Sequence, residues 1–271
     1  MLEKAERLRA LHKGPRILVL PNAWDAASAR VFAAEGFSAI ATTSAGVAAA
    51  LGYPDGGVVP THEMIEAIAR IARAVRIPVT ADIEHAYATA PGDAADVVLR
   101  VIAAGAVGIN IEDCVPGGHE LEPIPLQTEK ILVIAKAAAK SGVRVVINAR
   151  TDVFLRALGR PESRLAVAID RGKAFLAAGA DCVFVPGVRD RDTIAALVQG
   201  IGGPINILAV KGTPPISELE AFGVARVSVG SGPMRASLAL VRDIAKELKT
   251  SGTFGFADRT LSYDEVNELM R

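Results

Sequence analysis

Short runs of valine and isoleucine alternate along the chain with longer amphipathic stretches rich in alanine. The short runs are continuously apolar, the pattern of strands buried on both faces of a parallel sheet. They fall at residues 16–21, 39–42, 78–81, 108–111, 144–148, 182–185, 206–208 and 226–229. A helical period places helices at 26–35, 61–75, 93–104, 126–140, 161–178, 191–199, 217–222 and 234–248. Five of these helices run into Gly36, Gly105, Gly142, Gly179 or Gly223, which suit the left-handed residue that closes a helix. Eight strands alternating with eight helices predict a closed (β/α)8 TIM barrel of the α/β class. An open doubly wound sheet is the rival, but it calls for a glycine-rich first turn. Here the first turn is Pro21-Asn22-Ala23-Trp24-Asp25, which cradles no phosphate.

No linker divides the chain, so residues 1–250 are expected to form one catalytic barrel. Residues 251–271, with a helical end, are expected to be an extension that packs on a neighbouring subunit. A length of 271 residues is ordinary for a barrel, and 51% hydrophobic residues supply a large core. The 30 basic and 30 acidic residues balance, and no basic stripe occurs, which argues against nucleic acid. No apolar stretch approaches the length of a membrane span. The charged, helix-forming segment Met1-Leu2-Glu3-Lys4-Ala5-Glu6-Arg7 does not read as a secretory signal. Two cysteines, Cys114 and Cys182, make neither a disulfide framework nor a CxxC pair, so a reducing cytoplasm is expected.

Three acidic segments change the picture from architecture to chemistry. Asp82 and Glu84, then Glu112 and Asp113, then Arg150 and Asp152 each sit at or just past the end of a predicted strand. In a barrel those ends converge on the active site. Asp82 and Glu84 are two apart and share a face of a regular strand. Converging carboxylates repel unless a cation neutralises them. Oxygen ligands, partly acting through water, suit Mg²⁺ or Mn²⁺ rather than zinc. Solvated loop acids are the plainer alternative. Arg150 could clamp a substrate carboxylate or pair with Asp152 or Glu112.

Weaker signals surround these. The small residues Thr42-Thr43-Ser44-Ala45-Gly46 could present backbone N–H groups to an anion or merely permit close packing. The glycine-rich segment 51–57 could close over a ligand and carry Asp55 with it, or be a solvent-facing turn. Val229-Gly230-Ser231-Gly232-Pro233 could bind phosphate or form a tight turn. His85, Tyr87 and His119 are candidates for proton transfer against a surface role. Cys114 reads as a small buried residue rather than a thiol acid, and Trp24 as pocket lining or core.

Taken in order, Pro21-Asn22-Ala23-Trp24-Asp25, Thr43-Ser44-Ala45-Gly46-Val47, Leu51-Gly52-Tyr53-Pro54-Asp55, Ala81-Asp82-Ile83-Glu84, Ile111-Glu112-Asp113 and Asn148-Ala149-Arg150-Thr151-Asp152 resemble the isocitrate lyase / phosphoenolpyruvate mutase superfamily across residues 14–250. The resemblance implies a Mg²⁺-dependent barrel that makes or breaks C–C or C–P bonds beside a carboxylate through an enolate. It also implies a tetramer whose last barrel helix is exchanged between subunits. By position it casts Asp82, Glu84 and Glu112 as metal-site acids, Thr43 and Ser44 as the pair holding the substrate, Arg150 as the substrate arginine and Asp55 as the loop aspartate; Trp24, Ala45 and Asp82 are further expected substrate contacts, and Arg150, Asp55 and Glu112 the expected catalytic residues. Three departures stand out. Pro116-Gly117-Gly118-His119 replaces the Lys-Lys/Arg-Cys-Gly-His motif of the lyases, and the Lys and Asn of the mutases are not in register. Pro186-Gly187 replaces Pro-Glu, and Ala86-Tyr87-Ala88 replaces Gly-Tyr-Gly. The sequence therefore predicts a Mg²⁺-dependent lyase or decarboxylase on a small 2-oxo or 2-hydroxy di- or tricarboxylate. C–P hydrolase or mutase chemistry, or binding of a 2-oxo acid without turnover, are the alternatives.

Overall fold

The computed structural model describes residues 1–115 and 120–271. Its strands are β1 (Leu18–Leu20), β2 (Asn22–Ala23), β3 (Ile40–Thr42), β4 (Val79–Asp82), β5 (Gly108–Glu112), β6 (Val146–Arg150), β7 (Cys182–Phe184), β8 (Ile205–Leu208) and β9 (Arg226–Ser228). All pair in parallel, in the order β1-β9-β8-β7-β6-β5-β4-β3-β2. The first predicted strand is broken at Pro21, which has no N–H to give to a ladder. β1 before it pairs with β9, and β2 after it, in the segment expected as the first turn, pairs with β3, so the break is also where the barrel closes. Asn22 reinforces that closure: its Oδ1 accepts the N–H groups of Val229 and Gly230, both at 2.9 Å. Two donors of the loop read as a possible phosphate cradle are thereby engaged by the first strand.

The helices are α1 (Leu2–Leu11), α2 (Ala26–Ala34), α3 (Ser44–Leu51), α4 (Thr61–Ala74), α5 (Pro91–Ala103), α6 (Ile124–Lys140), α7 (Arg164–Ala177), α8 (Arg191–Ile201), α9 (Ile216–Ala221), α10 (Gly232–Thr250) and α11 (Tyr263–Leu269). The five predicted helix-closing glycines all adopt left-handed φ, from 82° to 109°. Helix α3 has no counterpart among the predicted helices, because Ser44-Ala45-Gly46-Val47-Ala48-Ala49-Ala50 shows no polar face to mark a period. Thr43 starts it, its Oγ1 accepting the Gly46 N–H at 3.4 Å. Helix α1 stoppers the amino-terminal end of the barrel: Ala5 and Leu8 cluster with Leu18, Leu20, Ala41 and Val146. No described helix is long and apolar enough to cross a membrane.

Helix α10 behaves differently from the other barrel helices. Of its 19 residues only Met234 is buried, while Leu238, Leu240, Val241 and Leu248 stay exposed. The chain beyond it returns to the same subunit, where the Arg30 guanidinium donates to the Leu269 carbonyl at 3.3 Å.

At the end of α1, His12 is buried and its Nδ1 donates to the Leu8 carbonyl at 2.8 Å. Burial first, then the nearby Arg226 charge, pushes its pKa down to about 4. A histidine kept neutral in the fold but free to charge when unfolded stabilises above its ordinary pKa and loses that contribution as pH falls toward the folded value. Denaturant titrations of the wild type and His12→Leu between pH 7 and pH 4 are predicted to converge by up to about 3 kcal/mol as the pH drops. The comparison with the variant isolates the histidine from the buried carboxylates, which titrate with the opposite sign.

Candidate active site

The carboxyl ends of the strands open into a cavity of about 340 Å³. That volume suits a ligand of a few carbons. Residues of alternate positions face it, because strand side chains alternate between barrel interior and helix layer. Thus Thr80 and Asp82 from β4, Asn110 and Glu112 from β5, Arg150 from β6, Phe184 from β7, Leu208 from β8 and Arg226 and Ser228 from β9 all border it. Asp55, Thr43, Ser44, Ala45 and Glu84 complete the side reached from β3 and β4.

Asp82 is the best-held acid. Its Oδ2 accepts the Ser44 N–H at 2.9 Å and the Ser44 hydroxyl at 2.8 Å. Its Oδ1 accepts the Asn110 amide at 2.8 Å, and Asn148 in turn donates to Asn110 Oδ1 at 3.0 Å. An amide chain across three strands therefore aims at one carboxylate. Glu84 lies just beyond β4 with φ +52° and is buried. Burial, then the charges of Asp82 and Asp55, raise its pKa to about 7. The Tyr87 hydroxyl donates to Glu84 Oε1 at 3.3 Å. Gly57, also left-handed at +78°, passes so close that a Cβ there would lie 3.3 Å from Glu84 Oε2. That contact explains why the loop carrying Asp55 needs a glycine at this point.

Arg150 is gripped from both sides. Its Nε and Nη2 donate to Asp152 Oδ1 and Oδ2 at 2.6 and 2.9 Å, and its Nη1 meets Glu112 Oε2 at 2.8 Å. The guanidinium also lies 5.9 Å from the centre of the Phe184 ring. Burial works against its charge, but Glu112 and Asp152 more than offset this and hold its pKa above the ordinary value. For Glu112 the balance runs the other way: burial outweighs the attraction of Arg150 and raises its pKa. Asp113, by contrast, is structural. It is fully buried, pairs with Arg171 at 2.6 Å and accepts the Asp152 N–H at 3.0 Å.

The predicted residues are thus largely brought together, with some changes of role. Among the described residues no three His, Cys, Asp or Glu side chains are grouped closely enough to cage a cation by themselves. Asp82 is drawn toward Ser44 and Asn110, and Glu112 toward Arg150, so Asp82, Glu84 and Glu112 do not form a direct three-ligand cage. Clustered oxygen donors with spare lone pairs still fit a hard ion that keeps several waters, as Mg²⁺ does. Trp24 is the clear correction. It lines a separate cleft with Asp25, Val47 and Leu51, outside the barrel mouth. The turn that caps α2, in which the Trp24 N–H donates to Ser28 Oγ at 3.1 Å, carries it away from the axis. The Thr43 hydroxyl caps α3 and the Ser44 hydroxyl is engaged by Asp82, so their first partners are internal. Asp55 is exposed and borders the cavity. His85 packs edge-on to Tyr87, and neither it nor Tyr87 borders the cavity. His119 falls outside the described residues. Cys114 is buried.

Ala86 and Tyr87, in the segment that departs from the expected Gly-Tyr-Gly, adopt φ of +67° and +52°. The turn thus keeps a left-handed shape although Ala86 carries a side chain. At Gly187 a Cβ would come 2.7 Å from the Leu155 backbone nitrogen. Position 187 therefore has no room for a side chain on this backbone. Asn110, Arg156, Arg226 and Arg235 also border the cavity and were not singled out from sequence. For Asn110 and Arg226 the signal was present: each lies two residues before another inward residue of its strand.

A parallel barrel whose carboxyl-end mouth gathers acids and arginines from several strands is the architecture of a barrel enzyme. The chain belongs to the phosphoenolpyruvate phosphomutase family, whose model matches residues 8–249, and so to the superfamily of lyases and mutases inferred from its motifs. The chain is 41% identical to a candidate phosphonomutase from Burkholderia cenocepacia J2315, covering 90% of this chain and 99% of that one with a TM-score of 0.86. It is 30% identical to oxaloacetate decarboxylase of Bradyrhizobium sp. (strain BTAi1), over 91% of this chain and 85% of the relative. It is 26% identical to phosphonopyruvate hydrolase in a complex with oxalate and Mg²⁺, covering 98% of this chain and 94% of that one with a TM-score of 0.87.

Removal of Arg150 leaves Glu112 and Asp152 without their shared cation. Arg150→Met is predicted to destabilise the fold by about 3 kcal/mol in denaturant titrations at alkaline pH. The loss is predicted to shrink toward acid pH, where Glu112, with its raised pKa, takes up a proton and no longer needs a counter-charge.

Proposed function

We propose that the protein is a Mg²⁺-dependent carbon–carbon lyase acting on a small 2-oxo or 2-hydroxy dicarboxylate, with oxaloacetate decarboxylation or a retro-aldol cleavage as its reaction. The observation that carries this reading is the convergence of Asp82, Glu84 and Glu112 around a cavity walled by Arg150. Bound among Asp82, Glu84 and Glu112, partly through water, Mg²⁺ or Mn²⁺ would supply Lewis-acid polarisation of the substrate's oxo group. Arg150 keeps N–H donors beyond those given to Asp152 and Glu112, and these would face the substrate's carboxylate. The Ala45 backbone at the start of α3 lines the same wall and adds the positive end of a helix.

In the decarboxylation the bond between C3 and the terminal carboxylate breaks. Its electron pair passes into C3 and the 2-oxo oxygen as carbon dioxide leaves. Arg150 would stabilise the enolate charge that develops. A carboxyl group or water then returns one proton to C3, yielding pyruvate. Asp82 is fixed by Ser44 and Asn110, so the acid carries little reorganisation into the step. The relatedness to oxaloacetate decarboxylase supports this choice, and that to phosphonopyruvate hydrolase keeps C–P cleavage as the competing outcome. Asp82→Ala is predicted to keep its fold by circular dichroism while losing Mg²⁺-dependent pyruvate release from oxaloacetate by about a hundredfold or more. Undiminished turnover would refute the assigned metal role, and phosphate release from phosphonopyruvate in place of pyruvate release would reassign the reaction.

The bare apolar stripe of α10 supports a homotetramer in which this helix packs on a neighbouring subunit. A soluble monomer has little reason to leave Leu238, Leu240 and Val241 uncovered along one helix. Leu240→Glu combined with Val241→Glu is predicted to shift the protein to monomers in light scattering. Persistence of the tetramer would refute that interface.

A further inference from the structure

Arg226 stands apart from every other buried cation described. Lys130 pairs with Glu122, Arg171 with Asp113, and Arg150 with Glu112 and Asp152. Arg226 is 2% exposed, and its Nε and Nη1 have no hydrogen-bond partner. It takes part in none of the ion pairs among the described residues. Burial lowers its pKa to about 10, against weaker support from Cys182 and Asp82, so it is still a cation at neutral pH. A lone guanidinium taken out of water is costly unless something anionic meets it.

Its placement says where that anion comes from. Arg226 projects from β9 on the inward face it shares with Ser228, and both border the axial cavity. In register it lies beside Leu18 of β1 and Asn206 of β8, one inward layer below Ser228. Thr80, on the same cavity, also has an Oγ1 with no partner. The cavity therefore has Arg150 on its wall, matched by protein carboxylates, Arg156 and Arg235 at its rim, and Arg226 at its floor, which enters none of the ion pairs of the described residues.

We propose that Arg226 binds a carboxylate of the substrate at the cavity floor and thereby selects dicarboxylates over monocarboxylates. The inference rests on the lyase reading for its substrate class. A 2-oxo dicarboxylate carries one carboxylate beside the oxo group and a second at its far end. Two cations at different depths match that spacing, and planar N–H donors suit a carboxylate. Arg226 makes no covalent contribution here; it sets specificity.

The test uses stable 2-hydroxy acids, so that binding is read without turnover. L-malate and L-lactate, which differ by one carboxylate, are titrated calorimetrically into the full-length protein with Mg²⁺ present. The wild type is expected to bind malate about tenfold or more tightly than lactate. R226M is expected to bind malate no better than lactate, with lactate affinity unchanged within about twofold. Ligand-free R226M is also expected to melt at or above the wild-type temperature, because it removes an unmatched buried charge. A malate preference that survives in R226M would overturn the proposal and move selection to Arg156 or Arg235 at the rim. Equal affinity of the wild type for both acids would overturn it outright. Melting of R226M several degrees below the wild type would mark Arg226 as a structural cation and do the same. If R226M does not fold, R226K decides: weakened malate binding with some preference retained supports the role, and wild-type malate affinity refutes it. Malate selectivity that depends on Arg226, together with no pyruvate release from oxaloacetate, would defeat the lyase reading and leave the anion subsite standing.

Discussion

A barrel mouth can hold several carboxylates close together only if something keeps their repulsion in check. In this protein the first answer is the Arg150 guanidinium, clasped edge-on by Asp152 and end-on by Glu112. Strand register makes that possible. Glu112 and Arg150 are directly paired neighbours on β5 and β6, so their side chains leave the sheet side by side. Asp152 follows two residues later, where the chain turns over the barrel rim, and is itself oriented by Asp113. Asp113 is anchored to Arg171 on α7. A chain of paired charges thus runs from the helix layer to the cavity wall, and each member has its counter-charge before any ligand arrives.

Beyond that chain the balance is left open on purpose, in the physical sense that the protein supplies no match. Glu84 is raised in pKa by burial and by its acidic neighbours Asp82 and Asp55. A raised carboxyl pKa means that the charged form is disfavoured until a cation joins it. At the floor, Arg226 presents the opposite imbalance. A small dianion accompanied by a divalent cation would satisfy both ends at once. The same free energy that destabilises the empty site would then appear as binding.

The rigid part of the site is built from backbone geometry as much as from side chains. Asp82 is held by Ser44 at the first turn of α3 and by the asparagine pair Asn110 and Asn148. Glu84 and Ala86 occupy left-handed conformations just past β4. Such conformations persist only where the surroundings over-determine them, and they concentrate at functional sites. The loop that carries Asp55 passes this turn at Gly57, where an added Cβ would lie 3.3 Å from Glu84 Oε2.

The sequence by itself determined the barrel, the location of its main strands and alternating helices, though not of β2, α1 or α3, and the group of acids with Arg150 at one end. Continuous apolar runs, helix-closing glycines and strand-end charges are local signals, and backbone hydrogen bonding leaves them few alternatives. The family was likewise readable from the order and spacing of short motifs. Only the tertiary structure decided which way each side chain faces. It turned Trp24 out to a neighbouring cleft, engaged the Thr43 and Ser44 hydroxyls internally, made Asp113 a buried anchor, and split the first strand at Pro21. It also placed Arg226 without a partner at the cavity floor. These outcomes depend on which residues of distant strands come into register around a closed sheet, and no single segment of the chain carries that information.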